Sequence, residues 1–498
     1  MTREPSLAVA VDCVPLRPCD ADAPHTQAVF ALLAEIARQQ TVVFLFLTQG
    51  TTHGQVSRFA RPQDVLICVQ NDPAHPLYLP ISGEPLEHQL TPAPEDFLPR
   101  LGVDVLYCPF GAPAVSTGGV PVVTWIGDVL HRDYPHGLGA KQIAARESAV
   151  AQTLGAAALL QCGSRSVIER MMAHYQVPEE KLFYTYLPVP VNGEAGPAQV
   201  AAGAPDGERP FFFYPANLAR QHNHETLLLA YRLYRENAGA GAWDLVLGAG
   251  PENRAGELQE LAEALGIAPH LRFTDNLQAL WPLAGALVFV SLHEGSGLAL
   301  FEAMARGVPI ISGGDFALRE IAGDAACRVD ARKPESIAQA LLEVSRDAAL
   351  RERLIRQGSE RLGFFDLAME ARKLAEALAD LPRREAGFPR KPKVLEAPCA
   401  LATPTPATDA LWTVEVRVDP QAPQALYSVY LDEAAFGSFA VPNEGEAAFR
   451  FQCRPLSRTL RVVVAGEPTA QAAIAEVFAR GPQGESARLF QREEDCPR

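Results

Sequence analysis

No stretch of the 498-residue sequence approaches the roughly 18 consecutive apolar residues that a membrane-spanning helix needs. The opening MTREPSLAVAVDCVPL also lacks a long apolar core before a small-residue cleavage site, so it reads as a first strand rather than a secretion signal. The nine cysteines are scattered and never fall in C-x-x-C spacing. That pattern argues against a zinc site and for free thiols in a reducing cytoplasm. Positive charge is short as well. Lys and Arg number 44 against 59 Asp and Glu, a formal net charge of −15. Such a chain lacks the electrostatic footprint of a nucleic-acid binder, and its net charge offers no general attraction to an anionic membrane.

What is present is alternation. SLAVAVDCV, TVVFLFLTQ, VDVLYCPFG, PVVTWIGD, AALLQCGS and KLFYTYLPV are short apolar runs bounded by polar or Gly/Pro residues. Thr26 to Gln40 has helical periodicity between the first two. Near-continuous apolar strands alternating with helices predict a parallel sheet covered on both faces. Pro190 to Pro210 is rich in Ala, Gly and Pro and reads as a linker. A second alternation follows, with strands in FFFYPAN, WDLVLGAG, LRFTDN, ALVFVSLHE and GVPIISGG. Its helices are HETLLLAYRLYREN, AGELQELAEALG, LALFEAMAR and PESIAQALLEVSRD. After a second Pro-rich linker the period changes to short strands, from LWTVEVRVD to AIAEVFAR, suggesting a small sandwich-like β-domain. The expected division is 1–192, a doubly wound unit on the acceptor side; 209–381, a doubly wound nucleotide-sugar unit; 382–409, linker; and 410–498, β-domain. The linker cluster of Arg383, Arg384, Arg390, Lys391 and Lys393 reads as solvated charge.

One stretch departs from a plain βα unit. In HEGSGLALFEAMARGVPIISGGD, His293 to Asp315, two glutamates lie eight residues apart around a glycine loop. ALVFVS delivers Glu294 just past a strand's carboxyl end, where open α/β sheets bind ligands. Gly295, Ser296 and Gly297 allow the backbone a close approach, and the helix opening at Leu298 offers N–H groups and a positive dipole end suited to a diphosphate. Glu302, about one turn in, leans back toward the helix N-terminus, where it would accept hydrogen bonds from vicinal hydroxyls such as those of a ribose. Glu294 would do the same for a sugar ring, or balance developing positive charge.

This string strongly resembles the E-x7-E motif of retaining family-4 glycosyltransferases, which have the GT-B fold of two Rossmann-like domains. The resemblance covers about residues 100 to 380 and implies an α/β, GT-B chain. It implies that Glu294 approaches the donor sugar and Glu302 binds the nucleotide ribose. The loop of Gly295, Ser296, Gly297 and Leu298 would hold the diphosphate. VVTWIGDVLHRDYP resembles a W-I-x-D-x-x-H-x-x-x-P stretch in one branch of these enzymes, and would bring Asp128 and His131 to the interdomain cleft as catalytic candidates. Ser164 reads as the N-cap of the helix that follows LLQCGS.

FFFYPANLARQHNHETLLLAY resembles the start of the family's nucleotide domain and adds Asn217, Arg220 and His222 to the donor-binding candidates. Related sequences carry a lysine where His222 stands; a neutral imidazole supplies less charge, and Arg220 is the nearby substitute. Arg361 to Asp380 looks like the last helix, which crosses back to the first domain in this fold. The glycine-rich loop often found after the first strand is replaced by CDADAPHTQAVF, which leaves acceptor recognition open.

The implied reaction moves a hexose, mannose-like being favoured, from a nucleotide diphosphate sugar to a glycan or lipid-linked acceptor with retention, in a setting such as bacterial surface polysaccharide synthesis. No cofactor and no metal are called for; the donor is itself the nucleotide. A lipid-linked acceptor would require peripheral contact with the inner membrane, and the β-domain would serve assembly or glycan binding. Two rivals stand beside this reading: a nucleotide-sugar epimerase or phosphorylase on the same architecture, and a non-catalytic nucleotide-sugar or glycan-binding protein on a degenerate scaffold.

Overall fold

The computed structural model describes residues 7–20, 23–49, 51–61, 64–70, 97–100, 103–188, 210–249 and 254–381, and eight strand segments between 393 and 491. The first alternation forms β1 (Leu7–Asp12), β2 (Val42–Gln49), β3 (Val65–Gln70), β4 (Val105–Cys108), β5 (Val122–Ile126), β6 (Leu159–Cys162) and β7 (Leu182–Tyr184). They lie in the order β3-β2-β1-β4-β5-β6-β7, every neighbour parallel. Each expected strand is present. β3, whose short run DVLICVQ lies beside residues outside the described set, was missed.

The second alternation forms β8 (Phe211–Tyr214), β9 (Asp244–Gly248), β10 (Leu271–Thr274), β11 (Ala286–Phe289), β12 (Ile310–Ser312) and β13 (Ala326–Arg328). Their order is β10-β9-β8-β11-β12-β13, again all parallel. Both sheets therefore share the doubly wound order 3-2-1-4-5-6, the first extended by β7. In each, the strand order reverses between the unit's first and fourth strands, and that reversal opens a crevice at the carboxyl ends.

The central strands are largely apolar because both faces are covered. Phe212, Phe213 and Tyr214 of β8 are all fully buried. On one face of the first sheet lies the helix α1 (Pro24–Gln39), with Val29, Leu32, Leu33 and Ile36 inward. Other helices that matter to the site are α2 (Ala140–Ala156), α3 (Arg165–Tyr175), α4 (His224–Ala238), α5 (Leu298–Arg306), α6 (Phe316–Ala322) and α7 (Leu367–Ala379). The last of them crosses back. Ala371, Leu374, Ala375 and Leu378 of α7 join the core under the first sheet, and Gln39 Nε2 donates to the Ala368 carbonyl at 2.8 Å. Burying each leucine is worth about 1.5–3 kcal/mol, so α7 fastens the chain's second half to its first.

Beyond Leu381 the described segments are antiparallel strands in two four-stranded sheets. One has the order β14-β19-β16-β17 and the other β18-β15-β20-β21, where β14 is Lys393–Ala397, β15 Trp412–Val418, β16 Leu426–Leu431, β17 Ala434–Ala440, β18 Ala447–Cys453, β19 Leu460–Ala465, β20 Ile474–Arg480 and β21 Ser486–Gln491. β14 falls inside the stretch expected to be linker: KVLEA has an apolar alternation that the flanking prolines obscured. Of the first linker, residues 190–209 lie outside the described residues.

Candidate functional site

At the crest of the second sheet the chain leaves β8 and β11 side by side. After β11, Val290 and Ser291 stay buried, so the strand proper ends earlier than the sequence suggested, yet the segment continues straight into the loop. His293 to Gly297 forms that loop, and α5 begins at Leu298. Gly297 is the N-cap in the left-handed region, φ +55°, and a Cβ there would lie 2.7 Å from Ile321 Cδ1. α5 ends at Gly307, also left-handed, so the helix is confined to nine residues. Its Leu300, Phe301, Ala303 and Met304 are buried and hold the N-terminus rigidly over the crevice.

The loop after β8 meets this one. His222 Nδ1 lies 2.9 Å from Ser291 Oγ and 3.4 Å from Glu294 Oε1. The Tyr214 hydroxyl donates to the His222 carbonyl at 2.6 Å and sits 2.9 Å from Ser291 Oγ. Leu292 N–H donates to the Gln221 carbonyl at 2.8 Å. Asn223, left-handed at φ 62°, donates through Nδ2 to the carbonyls of Val290 and Ala331. Glu294 and His222, 72 residues apart in the chain, thus share one polar network. Glu294 Oε1 is buried yet forms no hydrogen bond among the described residues, which leaves it free to accept one from a ligand.

Glu302 is only 5% exposed, and burial pushes its pKa above the usual carboxylate range. Gln278 Nε2 donates to its Oε1 at 3.1 Å, and Arg306 Nη2 donates to Gln278 Oε1 at 2.9 Å. This pair partly offsets the burial, and the exposed Gln278 marks the mouth beside the carboxylate. Glu294 thus precedes the N-terminus of α5, and Glu302 is the fifth residue of that helix, about one turn in.

Other candidates sit elsewhere. Arg220 is 56% exposed and faces Glu225 at 3.8 Å and Glu257 at 4.0 Å, on the outer side. These are loose surface pairs on an exposed side chain. Asn217 is exposed, and its Oδ1 accepts the Ala219 N–H at 3.2 Å, a turn-forming role. Asp128 accepts the Leu130 N–H at 2.8 Å and pairs with Arg146 of α2 at 3.1 Å. His131 is buried inside the first unit, its Nε2 2.7 Å from the Tyr175 hydroxyl and 3.1 Å from Glu147 Oε2. Burial lowers its pKa while Glu147 opposes the shift. Its remaining nitrogen, Nδ1, forms no hydrogen bond among the described residues.

Ser164 corrects its sequence reading. It occupies the N-cap position of α3 but makes no side-chain cap bond. Its hydroxyl instead donates across the cleft to the Gly295 carbonyl at 2.8 Å. The cap is supplied from the other unit: Glu320 of α6 accepts the N–H groups of Arg165 and Ser166 at 2.8 and 3.0 Å, and the Tyr186 hydroxyl at 2.7 Å. Gly295 is the closest approach. A Cβ there would lie 1.7 Å from the Gly127 carbonyl oxygen and 3.2 Å from Asp128 Cβ. Only glycine fits between these backbones. Asp128 is thus brought beside the Gly295 loop, while His131 faces Tyr175 and Glu147.

The sequence reading missed Asp315, Ser291, Tyr214 and Glu320. Asp315 and Ser291 had a faint signal, since each follows a strand at the same crest; Glu320 had none, because its partners are more than 130 residues away. Among the described residues there is no cluster of His, Cys, Asp or Glu fit to hold a metal, and no helix long and apolar enough to cross a membrane.

Residues 197–361 match the family model described as glycosyl transferases group 1. Curated relatives include O-antigen chain mannosyltransferase B of Escherichia coli, 33% identical over 78 residues, which are 16% of this chain and 20% of that protein. Another is the GDP-mannose-dependent alpha-(1-6)-phosphatidylinositol monomannoside mannosyltransferase of Mycobacterium tuberculosis, 29% identical over 191 residues, 36% of this chain and 48% of that protein. The chain spans about half the length, or less, of the curated relatives it matches. Among solved structures, WaaG, a glycosyltransferase involved in lipopolysaccharide biosynthesis, superposes with TM-score 0.52 at 14% identity over 75% of this chain and 100% of its own. Anabaena HepE, solved with UDP and glucose, gives the same TM-score, identity and coverage. These likenesses show the two-sheet GT-B fold.

Proposed function

We propose, on the premise that this chain carries a glycosyl transferases group 1 segment at residues 197–361, that it transfers a hexose from a nucleotide diphosphate sugar to a glycan or lipid-linked acceptor with retention of configuration. One observation carries the reading: Glu294, with an unsatisfied buried oxygen, and the buried Glu302 flank the N-terminus of α5 at the switch point of the second sheet. That is the place where a doubly wound sheet binds a nucleotide.

The chain's own groups assign the work. The first N–H groups of α5 lack intrahelical partners and, with the loop glycines, face the position of the diphosphate, stabilising the charge it gains as the glycosidic bond breaks. Glu302 accepts the ribose hydroxyls, and Gln278 holds its carboxylate in place. Glu294 faces the sugar and balances positive charge developing on the ring. His222 takes the place of the family's lysine and is tied to Glu294 rather than set apart as a free cation. The meeting of Gly295 with Gly127 excludes water that would otherwise hydrolyse the donor. The names of the relatives favour mannose and a surface-glycan or lipid-linked acceptor. The strands after Leu381 are read as one small β-domain that serves assembly or glycan contact.

The missing lysine, with His222 in its place, supports the binding-only reading, as do the strands appended after Leu381. Calorimetry against UDP-, GDP-, ADP- and dTDP-sugars, with Glu302→Ala beside the wild type, tests the donor site; transfer or donor hydrolysis then separates enzyme from binder. Binding of one nucleotide, weakened by the substitution, supports the proposal. Binding that Glu302→Ala leaves intact would place the donor elsewhere.

A further inference from the structure

A charged cluster at the meeting of the two units lies outside either core and adjoins the Glu294 loop. Asp133 and Arg170 come from the first unit, and His293 and Asp315 from the second. Arg170 Nη1 lies 2.5 Å from Asp133 Oδ2, and its Nη2 lies 3.7 Å from Asp315 Oδ1. Asp315 Oδ2 accepts the backbone N–H of Glu294 at 3.1 Å. His293 Nδ1 lies 3.5 Å from Asp133 Oδ2, and His174 Nε2 lies 2.9 Å from Asp133 Oδ1. The side chains of Asp133, Asp315 and His293 are 11%, 8% and 4% exposed. The Phe316 ring closes one side, its centroid 5.1 Å from the Arg170 guanidinium carbon.

We propose that Arg170 is a positioning residue: by pairing at once with Asp133 of its own unit and Asp315 of the other, it sets the Glu294 loop only when the two units are together. The inference rests on the reading of Glu294 as the group that faces the donor sugar. The physical chain is short. Two nearly buried carboxylates face each other with one permanent cation between them. Remove that cation and the carboxylates repel in a medium that solvates them poorly, so separation of the units, which lets water in, becomes the favoured outcome. Asp315 then keeps its bond to Glu294 N–H but loses its anchor, and the loop loses its reference to the first unit. The guanidinium fork suits this task because it addresses two carboxylates at once, whereas an ammonium is a single point charge. Donor nucleotide contacts at Glu302 and α5 lie wholly within the second unit and do not depend on the clamp.

The experiment uses the full chain as wild type, Arg170→Gln, Arg170→Lys and Asp315→Asn. Small-angle scattering without any donor reads the separation of the units; calorimetry with the nucleotide found above reads donor affinity; steady-state kinetics reads kcat and KM. Arg170→Gln is expected to enlarge the radius of gyration and to lower kcat about 30-fold while nucleotide affinity changes less than about threefold. Arg170→Lys should recover part of the kcat and part of the compaction. Asp315→Asn keeps an acceptor for Glu294 N–H but removes the charge Arg170 pairs with, and should open the chain with a smaller loss of kcat. The proposal is overturned if Arg170→Gln leaves scattering and kcat at wild-type values. It is equally overturned if kcat, nucleotide affinity and melting temperature fall together and Lys restores none of them, because that is the mark of a merely structural side chain. Should the wild type transfer no sugar from any donor, the reading of the site fails, and the scattering comparison alone still decides the clamp.

Discussion

The two sheets have the same strand order, yet their crests are finished in opposite ways. At the first, the loop after β1 is sealed. Asp12 is wholly buried, and its carboxylate accepts the N–H groups of Val14 and Ala114, tying the loop after β1 to the one after β4. At the second, the loop after β11 leaves Glu294 mostly buried with an unsatisfied oxygen, and the loop after β8 brings His222 to it. The first crest uses its carboxylate to satisfy its own backbone; the second keeps carboxylates for something else. A doubly wound sheet supplies the crevice in both cases, and the loops decide which crevice keeps polar groups for a ligand, the donor in the proposed function.

The sharpest way to break this contrast is at the point where the crests touch. Gly295→Ala would place a methyl group onto the Gly127 carbonyl. The units must part, and transfer should fall by about 100-fold or more, as expected for a displacement of about 1 Å at reacting groups. Because opening relieves the clash, the melting temperature should move little; a large drop in melting temperature would mean that the glycine serves folding instead. Glu302→Ala acts on the second crest alone. It should weaken nucleotide binding about 10- to 100-fold by calorimetry, the loss of a charged hydrogen-bonding group at about 1.5–3 kcal/mol. Its counterpart at the first crest, Asp12→Asn, should leave nucleotide affinity within about twofold while lowering stability by about 1–2 kcal/mol in urea titration, since an amide oxygen replaces only part of what the carboxylate accepts.

The smallest effect concerns pH. His224, fully buried and stacked on Tyr214, has its pKa pushed down to about 3 by burial, with His222 and Arg254 adding to the shift. The unfolded chain binds the proton near the ordinary histidine value of 6.5 and the folded chain does not. The contribution is therefore present above pH 6.5 and is lost as pH falls toward 3. Between pH 6.5 and 5 the wild type should lose about 2 kcal/mol from this group. His224→Phe keeps the stacking and should flatten that slope in denaturant titrations at the two pH values; an unchanged slope would assign the acid sensitivity to other groups.

Much of this was legible in the chain. The apolar runs gave eleven of the thirteen strands in the two sheets, all but β3 and the three-residue β13, because a parallel strand buried on both faces needs no cue beyond length and hydrophobicity. β3 escaped because DVLICVQ is short and followed by a long polar segment. The E-x7-E spacing put Glu294 and Glu302 at one helix N-terminus because strand, loop and helix are contiguous there, so local geometry fixes the distance between them. Candidates defined by resemblance alone divided. His222 lies beside Glu294, Arg220 beside Glu225 and Glu257, and His131 beside Tyr175 and Glu147. Each of these outcomes depends on which charges and hydroxyls stand opposite, and those come from distant parts of the chain.

By itself, then, the sequence determined the two doubly wound sheets, the loop that carries the paired glutamates and the helix that returns to the first sheet, because periodicity and local spacing act between residues near one another along the chain. Only the tertiary structure decided that Gly295 must pass within reach of Gly127, that Ser164 serves Gly295 rather than its own helix, that Glu320 caps a helix of the other unit, and that Arg170 spans Asp133 and Asp315. Those pairings join residues more than 130 positions apart, apart from Arg170 with Asp133, and no periodicity encodes them. They follow from how two separately folded crests meet, where every buried charge and backbone group must find its partner on the opposite side.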